Sequence, residues 1–418
     1  MFTVKENNLV VKKSSESMVA HSFNKILFIY VFIIYSSCFS KFGTYNIGLL
    51  DTFEKYGRYT IYLLTFVAFV TIANGLVKYK GLNQWIIFLW FIFIISIIVS
   101  TNPFGTIFLI SNLLIIIFWA YWSTIKFTLK EFYELLTTAC LFIVILQVYF
   151  MIVYPQYAYS TYLQESIFSG TFYQKNNTAI FMAFSVIVAL CNFLYNKNKI
   201  VRLQCIFVGL IAIYCMVEVK SVTSLVSCTI ACLLTILFSQ RRHIINFILL
   251  GLAINSTFIY MLLNKNGLLG SILVDLGRDS SLTGRSSMWE SLFLLIEKKP
   301  LFGYGYDTFW IYNLDLRRYV VNNAGGAHNG IIELLLGIGI VGTIWFFVLW
   351  IKYGHQLSNI LVKGNRGMQF QYAYMILLLF YIISERTFGS SSYQTLIFAW
   401  CIISTVDKTK VKSKELSI

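Results

Sequence analysis

The sequence predicts an all-α polytopic membrane protein of about twelve transmembrane helices, with one long extracytoplasmic loop that contains an amphipathic helix. Three observations predict it. Apolar blocks, each near the roughly twenty residues that a bilayer requires, recur along the chain. Hydrophobic residues fill 58% of the 418 positions and charged residues 12%, with 3 prolines and a mean hydropathy of +0.71; soluble domains carry about a quarter charged residues. A single long hydrophilic stretch, residues 264–328, interrupts the apolar pattern toward the C-terminus.

The elements follow in order. A polar N-terminal tail, residues 1–24, precedes the apolar run Lys25–Ser40, and no small-residue cleavage site clearly follows it, so the run reads as an uncleaved signal anchor. Further spans are expected at Tyr59–Leu76, Trp85–Ser100, Thr106–Trp122, Phe132–Val153, Asn177–Tyr195, Val201–Val219, Val222–Ser239 and Ile244–Leu263. Residues 25–263 thus hold nine helices. After the loop, 329–406 holds three more, at Gly330–Ile351, Tyr372–Ser384 and Ser391–Val406, and 407–418 is a C-terminal tail. With the N-terminus inside, the short inner segments carry twenty Lys and Arg residues against six in the short outer ones. That is the positive-inside asymmetry, and it predicts a multi-pass plasma-membrane protein with both termini cytoplasmic and the long loop outside.

Charge and cysteine usage narrow the function classes. A net charge of +15 raises nucleic acid as a partner, but the basic residues are scattered between apolar blocks rather than gathered on one face, so no nucleic acid is expected. All eight cysteines lie in apolar segments, which leaves the long loop without disulfides and offers no thiol-rich metal site. Three of the four histidines fall on the cytoplasmic side, and the outer His328 alone supplies too few ligands for zinc. No metal and no cofactor is expected.

Within the loop, Ser287 and Glu290 have capping-box spacing, and Trp289, Leu292, Phe293 and Ile296 recur at helical spacing. An amphipathic helix is therefore expected over Met288–Lys299, ended by Pro300, with Arg285 just before its first turn. An arginine there is placed where lipid phosphates travel, although snorkelling accounts for most arginines near membranes. Gly303-Tyr304-Gly305 reads as a tight return rather than a phosphate cradle. Lys298 and Lys299 look like helix C-terminal charges, which leaves Arg278, Arg317 and Arg318 as further loop cations of interest.

His328 stands at the mouth of the tenth helix and has two readings. In one, His328-Asn329 merely starts a helix, with Asn329 as N-cap and Glu333 in the first turn. In the other, the helix N-terminus faces an anion and the imidazole acts as base or donor beside it. Charges near the outer leaflet are Glu218 with Lys220, Lys175 beside Asn176 and Asn177, and Glu385 with Arg386; such groups are either neutralising neighbours or functional.

Many membrane helices, one long outer loop, Gly284-Arg285 followed by Trp289, then Pro300 and Gly303-Tyr304-Gly305, and Ala327-His328-Asn329 entering a helix with Gly337-Ile338-Gly339-Ile340-Val341-Gly342 occur in this order. Together they resemble the O-antigen ligase and polysaccharide polymerase (Wzy-type) family, over roughly Val219 to Gly342. The resemblance implies a GT-C-like fold and a metal-independent inverting glycosyltransferase with an undecaprenyl-pyrophosphate-linked oligosaccharide as donor and acceptor. Flippase and chain-length regulator proteins are its implied partners.

The resemblance assigns Arg285 to the donor pyrophosphate and His328 to the reacting centre, as catalytic residues. Lys220, Arg278, Arg317, Arg318 and Lys175 are the expected substrate-binding cations. Val222 occupies the place where the family tends to carry an arginine after a serine, and Lys220 is the neighbouring substitute, a point charge without bidentate reach. Usage rich in Ile, Lys, Asn and Phe favours a capsular or exopolysaccharide polymerase over a ligase that moves finished glycan to a surface anchor. A transporter shares the twelve-helix plan, but no half-to-half similarity is visible and the loop is not central.

Overall fold

The computed structural model describes residues 18–45, 50–72, 83–162, 165–238, 251, 285–318, 320, 326–363, 366–382, 385–389 and 392–415. The protein is an all-α polytopic membrane protein. Six of the described helices are long and apolar enough to cross a membrane, and Asn83–Val99, Val222–Leu237 and Tyr393–Val406 are shorter apolar helices. The expected ninth span, Ile244–Leu263, lies outside the described residues apart from Gly251.

The first expected span is a helix, α1 (Met18–Ser36), that starts earlier and stops sooner than the hydropathy suggested. Ser37 takes a left-handed backbone (φ 57°) and turns the chain into α2 (Ser40–Tyr45). α3 (Leu50–Ile72) and α4 (Asn83–Val99) follow. α5 (Pro103–Lys126) has Pro103 where a missing N–H costs nothing and Asn102 accepting from Gly105 N–H as N-cap. α6 (Leu129–Val153) opens on a reciprocal capping box between Thr128 and Glu131.

After the one-turn α7 (Pro155–Ala158) comes an antiparallel hairpin, β1 (Tyr159–Tyr162) and β2 (Glu165–Phe168), in the stretch between two expected spans, for which no element was expected. Buried Lys41 anchors the residues flanking it, donating to the Tyr157 carbonyl and to Ser169 Oγ. α8 (Lys175–Tyr195), α9 (Lys199–Glu218) and α10 (Val222–Phe238) continue the bundle. α8 and α9 pack closely where Gly209 faces Ala189, small residues letting the backbones approach.

The loop helix α11 spans Arg285–Lys298. It begins two residues before Ser287, so Arg285 is its first residue rather than a residue ahead of it, and Ser287 is not the N-cap. None of Arg285, Ser286 and Ser287 breaks a helix, so the turn continues back toward Gly284. α11 buries Met288, Trp289, Leu292, Leu295 and Ile296 in a second core with Tyr304, Phe309, Trp310 and Leu336. The short helices α12 (Phe309–Tyr312) and α13 (Leu314–Arg317) complete this cap over the bundle.

The helix α14 (Gly330–Val362) is broken at Gly339 (φ 65°, ψ −172°). A broken helix leaves peptide groups that must find partners at membrane depth, and the turn after Pro300 supplies them. Tyr304 and Gly305 N–H donate to the Leu336 and Gly337 carbonyls (2.7 and 3.0 Å), while Ile340 and Val341 N–H donate to the Pro300 and Leu301 carbonyls (2.8 and 3.2 Å). The Gly303 return is therefore a tight one pressed onto the helix, since a Cβ on Gly303 would stand 2.5 Å from the Leu336 carbonyl oxygen.

Two helices close the fold, α15 (Gln369–Tyr381) and α16 (Tyr393–Glu415). α16 runs past Val406 into the expected tail. α6, α8, α9, α10 and α15 pack as one group, α4, α5, α14 and α16 as another, and α1 and α3 join them. Long-range bonds such as Tyr306 N–H to Ser96 Oγ (2.9 Å) and Asn176 to Glu385 bring the loop, the end of α4, the start of α8 and the α15–α16 connection together at one end of the bundle.

Candidate functional site

The site is built at that end, on the entry to α14. Asn329 is its N-cap, the side-chain oxygen accepting from Ile331 and Ile332 N–H at 2.9 and 3.1 Å, while Gly330 N–H donates to the Ile382 carbonyl at 2.8 Å. This fixes the residue before the cap. His328 sits at φ 49°, a left-handed backbone uncommon for a side-chain-bearing residue. Its Nδ1 lies 3.4 Å from Glu385 Oε2, and the other oxygen of Glu385 accepts from Asn176 Nδ2 at 2.6 Å. A carboxylate accepts, so Nδ1 is the donating nitrogen of this pair, and in a neutral imidazole of that tautomer Nε2 is the accepting one.

Beside this pair, Arg386 forms an ion pair with Asp307, whose own backbone is left-handed (φ 64°). Glu385 and Arg386 thus take partners from different parts of the chain. Glu333, one turn into α14, accepts from Trp310 Nε1 and from Ala327 N–H. A small pocket of about 20 Å³ is lined by Tyr306, Asp307, Glu333, Arg386, Thr387 and Phe388 among others. Burial pushes the Tyr306 phenol up to about 12, with Arg386 opposing the shift, so the hydroxyl stays protonated.

A second cavity of about 130 Å³ adjoins it, walled by apolar side chains including Trp85, Phe88, Ile92, Leu113, Phe346 and Phe398. Tyr306, Leu334 and Phe388 line both spaces.

Of the residues expected from sequence, His328 is at the centre, and Lys175 begins α8 next to Asn176, the partner of Glu385. Lys220 is exposed in the α9–α10 turn, on a left-handed backbone (φ 53°). Arg317 is half-buried, its Nη1 3.5 Å from the Trp310 carbonyl, and Arg318 is exposed, 3.8 Å from Asp315. Arg285 opens α11, and Arg278 lies outside the described residues. Lys299 donates to the Val99 carbonyl at 3.1 Å, tying the end of α11 to the top of α4.

Sequence reasoning did not single out Asp307 or Trp310. A lone aspartate after Gly-Tyr-Gly-Tyr and a lone tryptophan carry no spacing signal; only the folded loop brings them to α14.

Residues 207–347, which run from within α9 through α10 and α11 and past the break in α14, match the family described as O-antigen ligase. Over these residues the chain is similar to the O-antigen ligase family. His328, Glu333 and Asp307 all lie inside that region, whereas Glu385 and Arg386 reach in from beyond it. The exopolysaccharide production protein ExoQ of Rhizobium meliloti (strain 1021) is 26% identical over 214 residues, 47% of this chain and 48% of that protein. The alignment therefore spans about half the length of this relative. The matched region is joined to a multi-pass helical bundle.

Proposed function

We propose that the protein polymerises capsular or exopolysaccharide repeat units. It transfers an undecaprenyl-pyrophosphate-linked glycan to a hydroxyl of an acceptor repeat unit at the outer membrane face, as a metal-independent inverting glycosyltransferase. The observation that supports this reading is the junction of two unlike spaces at the first turn of α14, which His328 precedes: a small polar pocket with charged walls and an apolar cavity. A hydroxylated, charged head group suits the first and an isoprenoid tail the second. Along α16 the cavity extends about 12 Å between Thr395 and Ile403, at 1.5 Å per residue. The buried Thr387 hydroxyl has no hydrogen-bond partner among the described residues, and it lines the polar pocket, where a sugar hydroxyl satisfies it.

The chemistry follows from the bond. The acceptor oxygen attacks the anomeric carbon from the face opposite the pyrophosphate, the bond from that carbon to the phosphate oxygen breaks, and the electron pair leaves with the pyrophosphate. Nε2 of His328 takes the acceptor proton, and Glu385 steadies the imidazolium that results. Cationic side chains carry the charge that collects on the departing phosphate, with Arg285 in the first place and Lys175, Lys220, Arg278, Arg317 and Arg318 as further phosphate or glycan contacts. Losing one preorganised contact of this kind costs roughly 2–4 kcal/mol of transition-state stabilisation, so Arg285→Ala is expected to slow elongation about a hundredfold or more. A single-turnover assay on lipid-linked repeat units checks it.

The name of ExoQ, an exopolysaccharide production protein, supports a polymer as product. The deciding experiment is reconstitution of purified protein in detergent with synthetic lipid-linked repeat units. A ladder of lengthened glycan is expected. Transfer of finished glycan to a different anchor without lengthening makes it a ligase. Movement between leaflets with no new bond makes it a transporter.

A further inference from the structure

The residue immediately before His328 is held at both of its peptide groups. Its carbonyl, that of Ala327, accepts from the indole N–H of Trp289 at 2.8 Å, and its amide donates to Glu333 Oε1 at 2.6 Å. Glu333 is itself fixed by Trp310, whose indole N–H lies 3.0 and 2.8 Å from the two carboxylate oxygens. Trp289 and Ala327 are fully buried and Trp310 is 5% exposed, so these bonds are shielded on the loop side. Gly326 passes so close that a Cβ there would stand 3.2 Å from Glu333 Oε1. Trp289 belongs to α11, Trp310 to α12 and Glu333 to α14; three elements converge on one residue, Trp310 through Glu333.

We propose that Glu333 is a positioning residue for His328, acting through the amide of Ala327 and anchored by Trp310. The inference rests on the glycosyltransferase reading above, in which His328 takes the acceptor proton. A left-handed backbone at a histidine persists only when its surroundings over-determine it. Asn329 and Gly330 fix the chain on one side of His328; Ala327 fixes it on the other. Glu333 is suited to this because a carboxylate offers acceptors for two donors that converge from different elements. An acidic residue at this place in the first turn also favours the helix N-terminus, but that role needs neither Trp310 nor Ala327.

The test uses full-length protein in detergent, with Glu333→Gln and Trp310→Phe. Glutamine keeps one acceptor oxygen for two donors, and phenylalanine keeps a ring while removing the indole N–H. Misplacement of a reacting group by about 1 Å costs up to a hundredfold, so kcat is expected to fall about ten- to a hundredfold in Glu333→Gln and less in Trp310→Phe. KM for the lipid-linked repeat is expected to hold within about threefold, because the clamp orients a base rather than binding substrate. Amide exchange across 326–329 is expected to rise about tenfold in both variants, with exchange in α8 and α9 unchanged, as befits a local opening.

Exchange at 326–329 equal to wild type in both variants overturns the proposal, as does a rise in KM with unchanged kcat. If Glu333→Gln does not fold, Trp310→Phe gives the same two readings. Wild-type protein that makes no glycosidic bond defeats the functional reading alone, because the exchange experiment still reports whether Glu333 holds the chain at His328.

Discussion

His328→Ala is expected to abolish long polymer, lowering elongation about a hundred- to ten-thousandfold, the usual contribution of a positioned general base. Abundance in the membrane and melting temperature are expected to stay near wild type. The imidazole is only partly covered, and its one described hydrogen-bonding contact is a 3.4 Å approach to Glu385, so removal opens no large cavity in the core. The bonds that hold the helix entry belong to neighbours: the Asn329 side chain, the Gly330 amide and both peptide groups of Ala327. The substitution therefore removes the base and leaves its support in place. A normal glycan ladder from His328→Ala protein, present at wild-type amount, would refute the role.

The long apolar runs were legible because hydropathy over some twenty residues is a property of the chain itself. Helices α4, α5, α6, α8, α9 and α10 begin or end within a few residues of the positions read from composition alone. Boundaries moved where caps or packing outweighed hydropathy. α1 ends at Ser36 because the next residue is left-handed, and α16 continues beyond Val406 through charged residues that still favour a helix. The hairpin at 159–168 was illegible, since two four-residue strands of mixed polarity give too short a pattern to rise above a polar loop.

The candidate site was legible where it depended on neighbours in sequence. Asn329 reads as an N-cap from its place before an apolar run, and the structure has it capping α14, which fixes where His328 stands. What pairs with His328 was not legible. Glu385 follows it by 57 positions, and Asp307 and Arg386 meet from opposite sides of α14. Adjacent opposite charges such as Glu385 and Arg386 suggest mutual neutralisation, but each reaches a different element, Glu385 meeting His328 and Asn176 and Arg386 meeting Asp307.

Gly339→Ala is expected to remove the folded protein, and Gly337→Ala two residues away to be nearly silent. The sequence Gly-Ile-Gly-Ile-Val-Gly in an apolar run reads as a helix face for close packing, and nothing in it distinguishes the two glycines. The structure does. Gly339 occupies a region of backbone space open essentially to glycine alone (φ 65°, ψ −172°), and a Cβ there would stand 2.3 Å from the Leu301 carbonyl carbon and oxygen.

That obstacle is backbone, and it cannot retreat freely, because the Pro300 and Leu301 carbonyls hold the amides of Ile340 and Val341. Yielding breaks both bonds at membrane depth, where water does not replace them; with backbone strain of about 1–3 kcal/mol and about 1–3 kcal/mol for each orphaned group, the cost is comparable to the 5–15 kcal/mol that holds a typical domain folded. At Gly337 the nearest atoms to a new Cβ are 3.6–3.8 Å away, ordinary contact, and its backbone is not left-handed. Detergent-solubilised yield and melting temperature of the two variants measure the contrast. Equal melting temperatures would mean that the turn after Pro300 does not brace the break in α14, and the His328 entry one face above it would lose the support on which the proposed chemistry depends.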